Sequence, residues 1–279
     1  MKSHFKDSSE HQFISSKERG IYFYEKKNQE IHGIVDPSMY LPNIVTHLQW
    51  NHKNDSYITS IVGSDYYSRI YEWTKSSGKT IYSLYNKTIF TFDFTFDFRK
   101  MSIGGSKSSF LFDIETKKQI LMFSKSEDVL SQQILSDHLV LNGDRSGDIK
   151  MYDIRSRKLT NFKAKTKYPV ISMKFLKNEF HLVTSSMEGN LFLFDLRFEK
   201  KPLLKYEEHK NKSSLLKFTT DDEEEFIFSP GDDHLVRVFD INTGQVNHSI
   251  GPFEESITDI IFDKEYMIFG STNNVYFYG

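Results

Sequence analysis

The sequence of 279 residues contains no cysteine, only two tryptophans and only six prolines. The absence of cysteine excludes disulfide bonds, cysteine ligands for zinc and a cysteine nucleophile. No apolar run approaches the roughly 20 residues that a membrane helix needs. The first residues, Met1–Lys6, also lack the apolar core of a signal peptide. We therefore expect a protein of the nucleus or the cytoplasm, or of both, with no membrane partner.

An excess of charge of one sign is also missing, since 36 basic residues face 38 acidic residues and the net charge is −2. A chain with this balance has no global attraction to nucleic acid or to anionic membranes, so no specific nucleic-acid partner is expected. Aromatic residues, in contrast, make up 15% of the chain. Because aromatic side chains fit the pleated, half-buried surface of a strand, this composition favours β-sheet.

Apolar alternating segments recur along the chain, and most of them end in an aromatic residue followed by aspartate. The endings occur at Tyr24, Trp73, Phe112, Tyr152, Phe194, Phe239 and Tyr278. Their spacing of roughly 40–45 residues is typical of WD repeats, each of which forms one four-stranded blade of a β-propeller. Seven endings predict an all-β, seven-bladed β-propeller of WD repeats over residues 11–279, after a flexible segment at residues 1–10.

Two features of the predicted strands bear on how the propeller is built. The first blade lacks an obvious inner strand and the last lacks an outer strand. Because propellers remove open sheet edges by joining strands from both ends of the chain, we predict that the N-terminal residues pair with the last blade. The segment Phe90–Phe96 alternates almost perfectly, so its phenylalanines are expected to point into the space between blades.

The sixth repeat contains a histidine, a serine and an aspartate at places where WD repeats carry a structural hydrogen-bond network. His209 precedes the blade, Ser229 lies on its second strand, and Asp233 lies in the turn before its third strand. A Ser/His/Asp trio also serves hydrolases, but no Gly-x-Ser-x-Gly segment surrounds this serine. We predict a structural network of these three residues, without the indole donor because Phe239 replaces tryptophan.

No other segment of the sequence indicates catalysis. Gly104–Lys107 reads as a tight turn between strands and not as a phosphate-binding loop, and the ten histidines are scattered without metal-ligand spacing. The acidic run 221–225 is predicted to be a solvated loop, with the docking of a basic partner as the alternative. The sequence therefore predicts a protein that is not an enzyme and has no cofactor or metal.

In two consecutive predicted blades, an arginine directly follows a triplet of an aromatic residue, an aspartate and an aliphatic residue. Asp153 is followed by Arg155, and Asp195 is followed by Arg197. Equivalent strand ends place both guanidinium groups on the same rim of a propeller, where arginine often contributes strongly to interfaces. The alternative is that each arginine only pairs with its neighbouring aspartate.

The segments 140–155 and 182–197 resemble the double Asp-x-Arg box of WD-repeat substrate receptors in cullin-4-type ubiquitin ligases. From about residue 100 onward the chain is similar to the branch of cullin-4-associated factors around member four. In that family the arginine-bearing rim binds the damaged-DNA-binding adaptor subunit, and the opposite rim binds the substrate. The resemblance implies that four residues contact the adaptor: Asp153, Arg155, Asp195 and Arg197.

The leading hypothesis is therefore a protein-interaction scaffold that serves as a substrate receptor of such a ligase. Its partners would be the ligase adaptor and a substrate protein, and it would act as a monomer within a larger complex. The alternative is a WD-repeat scaffold subunit of another nuclear or cytosolic complex.

Overall fold

The computed structural model describes residues 44–279 except 52, 55, 64, 75–76, 125, 198–200, 213–215, 264–265, 272–273 and 279, together with the backbone of four strands before residue 44. At residues 161–163, 263 and 266 it describes the backbone alone. All regular structure in this part of the chain is β-strand. Among the described residues, no helix is long and apolar enough to cross a membrane.

The described strands form seven antiparallel sheets that follow one another along the chain. The first sheet contains β1 (Ser3–Lys6), β2 (Gln12–Lys17), β3 (Gly20–Lys27) and β4 (Glu30–Ile34). The second contains β5 (Ile44–Asn51), β6 (Ser56–Val62), β7 (Tyr67–Trp73) and β8 (Gly78–Tyr85). The third contains β9 (Ile89–Phe94), β10 (Lys100–Gly105), β11 (Ser108–Asp113) and β12 (Lys118–Ser124). The fourth contains β13 (Val129–Ser136), β14 (Leu139–Asp144), β15 (Asp148–Asp153) and β16 (Lys158–Lys165). The fifth contains β17 (Val170–Phe175), β18 (His181–Ser186), β19 (Asn190–Asp195) and β20 (Leu204–Tyr206). The sixth contains β21 (Thr219–Thr220), β22 (Phe226–Pro230), β23 (Val236–Asp240) and β24 (Val246–Ile250). The seventh contains β25 (Asp259–Asp263), β26 (Tyr266–Gly270) and β27 (Val275–Tyr278).

The predicted all-β propeller is confirmed. The predicted number of seven blades is wrong, because only six of the sheets have the four strands of a complete blade, and the remaining sheet has three described strands. Within each sheet, strands that are consecutive in sequence are also neighbours in space. The first and third strands of a blade therefore run in the same direction, because each adjacent pair is antiparallel. Their C-terminal ends consequently lie on the same rim.

The N-terminal strand does not extend the last blade, so that part of the sequence prediction is wrong. Ser3–Lys6 pairs with Gln12–Lys17 and forms the first strand of the first sheet. A hairpin partner a few residues away costs less loop-closure entropy than a partner at the other end of the chain. The same strand also lies beside β5 and β25. The rest of the predicted flexible segment, residues 1–2 and 7–10, lies outside the described residues.

Neighbouring sheets approach one another closely at two equivalent glycines on second strands. A Cβ atom added to Gly104 would lie 2.9 Å from Val129 Cγ1, and one added to Gly143 would lie 2.7 Å from Val170 Cγ1. Each valine begins the first strand of the following sheet and is almost completely buried. The missing side chains therefore allow each sheet to pack directly against the next one.

Hydroxyl groups on first strands add hydrogen bonds from the second sheet to the third and from the fourth sheet to the fifth. Thr46 Oγ1 donates to the carbonyl oxygen of Ile89 at 2.7 Å, and Ser131 Oγ donates to that of Val170 at 3.0 Å. Both acceptors lie at the start of the next first strand. These bonds satisfy backbone oxygens that face a neighbouring sheet and not a strand of their own sheet.

The alternating phenylalanines of the third sheet are only partly where the pattern predicts them. Phe92 and Phe94 are buried, as predicted. Phe96, however, is 85% exposed, because β9 ends at Phe94 and the chain turns before β10 begins. Side chains point alternately to the two faces only as far as the strand is hydrogen-bonded to its neighbour, although the sequence pattern continues to Phe96.

The close approach at Gly143 predicts a specific loss of stability. We expect Gly143→Ala to lower the free energy of unfolding by about 1–3 kcal/mol, because the new methyl group overlaps both Ser131 Oγ and Val170 in a well-packed core. Urea denaturation of the purified protein measures this change.

Ser185 provides the matched control, because it holds the equivalent register in the fifth sheet. It already carries a side chain, and its buried hydroxyl has no hydrogen-bond partner among the described residues. Ser185→Ala is therefore expected to change the free energy of unfolding by less than about 0.5 kcal/mol. A similar loss in both variants would contradict the packing argument.

Candidate protein-interaction rim

Four sheets carry an aspartate at the end of their third strand, and in each the carboxylate fixes the turn that follows. The aspartates are Asp113, Asp153, Asp195 and Asp240. The donors to them are, in the same order, the backbone N–H groups of Thr116, Arg155, Arg197 and Thr243, at 2.8, 2.8, 2.9 and 2.8 Å. An aspartate that accepts a backbone hydrogen bond a few residues ahead stabilises a turn. The aspartates of the Asp-x-Arg segments therefore have a structural role that does not require the arginine.

In the fourth sheet the same carboxylate also holds an arginine side chain. Arg155 donates from Nε to Asp153 Oδ1 at 3.3 Å and from Nη2 to Oδ2 at 3.1 Å. The Arg155 side chain is 68% exposed. Its hydrogen bonds lower the pKa of Asp153 to about 2. The pair thus presents a charged guanidinium group to solvent in a fixed orientation.

The fifth sheet repeats this arrangement with shorter bonds. Arg197 donates from Nε to Asp195 Oδ1 at 3.0 Å and from Nη2 to Oδ2 at 2.7 Å. Its guanidinium group also lies over the ring of Phe180, at 4.3 Å from the centroid. The hydrogen bonds from Arg197 lower the pKa of Asp195 to about 2. About half of the arginine side chain, 53%, remains exposed.

The arginines distinguish these two sheets from the sheets on either side. Two residues after the aspartate, the third sheet has Glu115 and the sixth has Asn242. Arg155 and Arg197 thus occupy equivalent positions in consecutive sheets, as the sequence predicts. We call the rim formed by the ends of the first and third strands, including these two arginines, the arginine rim.

The histidine and serine of the sixth repeat meet inside the protein, whereas the aspartate has a different partner. Ser229 Oγ and His209 Nδ1 are 2.8 Å apart, and both residues are buried. Asp233 instead accepts a hydrogen bond from Arg237 Nη1 at 2.9 Å and forms an ion pair with Lys210 at 3.3 Å. Since a substrate could not reach the buried serine, the pair has no arrangement suited to hydrolysis.

Sequence reasoning missed Arg237 as the partner of Asp233. A signal was available, because Asp65 and Arg69 repeat the same spacing of four residues across the corresponding turn of the second sheet and also form an ion pair. Arg237 is almost completely buried. Its role is therefore to tie the turn to the third strand.

The acidic run 221–225 is only partly solvated. Glu224 accepts a hydrogen bond from the backbone N–H of Lys177 in the fifth sheet at 2.6 Å, and Asp221 accepts one from that of Phe226 at 2.8 Å. The other three acidic residues are exposed. Within the part of the chain that the structure describes, no three histidine or acidic side chains converge in a way that could hold a metal ion.

The propeller fold and the two Asp-x-Arg turns define a WD-repeat protein. The family model described as the DDB1- and CUL4-associated factor 4 beta-propeller domain matches residues 87–264. Because this match covers more than half of the chain, the protein belongs to that family. The resemblance seen in the sequence is thereby confirmed.

Three known proteins illustrate the similarity. A 169-residue stretch is 32% identical to human DDB1- and CUL4-associated factor 4-like protein 2, and covers 58% of this chain and 42% of the relative. A 144-residue stretch is 33% identical to bovine DDB1- and CUL4-associated factor 4, and covers 50% of this chain and 29% of the relative. A 159-residue stretch is 27% identical to an uncharacterised WD repeat-containing protein of Caenorhabditis elegans. The chain thus matches less than half the length of the two named factors.

Burial of His209 predicts a dependence of stability on pH. Burial, with a smaller contribution from Arg237, lowers the pKa of His209 from 6.5 to about 4. Between these values the unfolded chain binds more protons than the folded chain, so stability falls as the pH decreases. The contribution of this group is at most on the order of 3 kcal/mol, lost progressively from about pH 6.5 to about pH 4.

Chemical denaturation at several pH values measures this dependence. His209→Gln is expected to be less stable at pH 7 but to show a smaller loss of stability on acidification. The matched control is His248→Gln, which removes an exposed histidine and should keep the wild-type pH profile. An unchanged profile in His209→Gln would assign the acid sensitivity to other groups.

The turn aspartates are predicted to contribute to stability, whereas the exposed Arg155 is not. Asp153→Ala and Asp240→Ala are both expected to lower the melting temperature, because each leaves turn N–H groups without their acceptor. Arg155→Ala should leave the melting temperature nearly unchanged, since an exposed ion pair contributes little. Thermal unfolding followed by circular dichroism compares the three variants. An equal loss for Arg155→Ala would mean that the arginine also supports the fold.

Proposed function

We propose that this protein is a substrate receptor of a cullin-4 ubiquitin ligase, and that its arginine rim binds the adaptor DDB1. The observation that carries the proposal is the pair of fixed, exposed guanidinium groups at equivalent positions of two consecutive sheets. Further support comes from the family, since the named relatives are DDB1- and CUL4-associated factors. A substrate protein would bind elsewhere on the propeller.

The geometry of the two Asp-x-Arg turns suits this role. A bidentate partner holds each guanidinium plane in place, so little side-chain entropy remains to be lost when a partner binds. Arginine is also enriched among the residues that dominate interface energies. Two such groups, one blade apart, form a rigid pair of anchors for carbonyl or carboxylate oxygens on a partner.

The proposal includes the architecture of the whole molecule. We infer that the six four-stranded sheets and the three-stranded sheet close into one ring, because the first strand of the chain lies beside β5 and β25. The protein would then act as a monomer within a larger complex, in the nucleus or the cytoplasm or both. It would act as a scaffold and not as an enzyme, in keeping with the burial of Ser229 and His209.

Capture of purified DDB1 by the immobilised protein tests the proposal. The double variant Arg155→Ala/Arg197→Ala is expected to weaken binding by at least about tenfold, because two interface anchors are removed. The matched control is Glu115→Ala/Asn242→Ala, which truncates the equivalent positions of the two flanking sheets. This control should bind within about twofold of the wild type.

Undiminished capture by the folded double arginine variant would overturn the assignment of the rim. Absence of capture by the wild-type protein, together with stable co-purification with partners that include no cullin, would favour the alternative of a scaffold in another complex. Circular dichroism spectra and melting temperatures establish that each variant is folded.

A further inference from the structure

A cavity of about 490 Å³ opens where the first strands of the second, third and fourth sheets end. These ends lie on the arginine rim. Ile154, between Asp153 and Arg155, donates its backbone N–H to the carbonyl oxygen of His138 at 2.8 Å, which ties the Asp-x-Arg turn to the hairpin that borders the cavity. The cavity therefore lies beside the proposed adaptor site and is distinct from it.

Aromatic side chains form much of the cavity wall. They are Trp50, Phe94, Phe96 and Phe98. Phe96 is the most exposed large apolar side chain of the described residues, at 85%. Phe96 therefore places an aromatic ring at the solvent-exposed mouth of the cavity. The faces of such rings carry negative electrostatic potential and attract cations.

The polar part of the wall includes two carboxylates and a buried amide oxygen. Asp93 accepts hydrogen bonds from Gln49 Nε2 at 3.0 Å and from the backbone N–H of Ile134 at 2.7 Å. The other amide atom of that glutamine, Oε1, is buried and has no hydrogen-bond partner among the described residues. Asp137 lines the same cavity and is exposed. Of these groups, the exposed carboxylate of Asp137 is the one that a ligand with hydrogen-bond donors would meet.

No lysine, arginine or histidine is among the described residues that line the cavity. Two basic residues near the mouth contact Asp97. The Lys53 ammonium group donates to the carbonyl oxygen of Asp97 at 3.2 Å, and Arg99 Nε lies 3.7 Å from the Asp97 carboxylate. Asp137, in contrast, makes no hydrogen bond or ion pair with another described residue. Its negative charge is therefore available to a partner from outside.

We propose that this cavity binds the cationic side chain of a lysine or arginine on a partner protein. The aliphatic stem would pack along the aromatic wall, and the charged head would lie between the ring faces and the carboxylate of Asp137. Burial raises the pKa of Asp93, and a bound cation would offset that effect and favour its ionised form. The inference concerns the chemistry of the cavity and does not depend on which protein binds the arginine rim.

Nuclear magnetic resonance of the full chain tests this inference directly. The protein has two tryptophans, so two indole N–H signals are expected, and Trp50→Phe identifies the one in the cavity wall. Trp73 is an internal reference, since it is buried and donates to Thr59 Oγ1 at 2.8 Å. The probes are the capped peptides Gly-Gly-X-Gly-Gly in which X is lysine, arginine, citrulline or norleucine.

The lysine and arginine peptides are expected to shift the Trp50 signal in a saturable way and to leave the Trp73 signal unmoved. The citrulline and norleucine peptides have similar length but no charge and should not shift either signal. Asp137→Asn should weaken the affinity for the lysine peptide about twofold to fivefold, as expected for a solvent-accessible ion pair. Glu115→Gln removes one negative charge from the same rim outside the cavity and should leave the affinity unchanged.

Three results would overturn the inference. They are a Trp50 signal that neither cationic peptide moves, equal shifts with citrulline or norleucine, and equal weakening by Asp137→Asn and Glu115→Gln. The last result would indicate a general effect of charge and not a site. None of these results bears on capture of DDB1 through the arginines, so the two proposals can fail separately.

Discussion

Packing of one sheet directly against the next is the interaction on which the rest of this structure depends. Each sheet is one repeat unit that cannot bury its apolar faces alone, and packing against neighbouring sheets buries them. At Gly104 and Gly143 a neighbouring strand occupies the space that a side chain would need. Hydroxyl-to-carbonyl bonds from the second sheet to the third and from the fourth to the fifth also set how consecutive first strands align. The rim inherits its geometry from this alignment, because strand ends can be equivalent only if the strands are.

The regular part of this architecture could be predicted from sequence. Alternation of apolar residues and the recurring aromatic-aspartate endings predict strands and their repeat, since both signals are local and each blade repeats them. The N-terminal strand could not be predicted in the same way. Ser3–Lys6 is short and polar, so its place depends on a hairpin with Gln12–Lys17 and not on any apolar pattern. The exposure of Phe96 was missed for a related reason, because periodicity does not show where a ladder ends.

The candidate site, like the fold, could be predicted only in part from the sequence. The positions of Arg155 and Arg197 follow from the repeat, and their exposure follows from the turn that each aspartate fixes. The change of partner at Asp233 does not follow, because it depends on a buried arginine across the turn. The cavity beside Trp50 was also beyond sequence reasoning, since its wall comes from three strand ends that are far apart in the chain. Such convergence becomes visible only when the sheets are placed side by side.

The turn aspartates are common to four consecutive sheets, whereas the residue two places later varies among them, being arginine in two sheets, glutamate in one and asparagine in one. Mutations at that later position change the side chain exposed on the rim, and we expect them not to cause misfolding or degradation. A lineage of such proteins can therefore exchange one binding partner for another by single substitutions, while every intermediate still folds. In each repeat, the position that maintains the fold is thus different from the position that can change during evolution to alter binding.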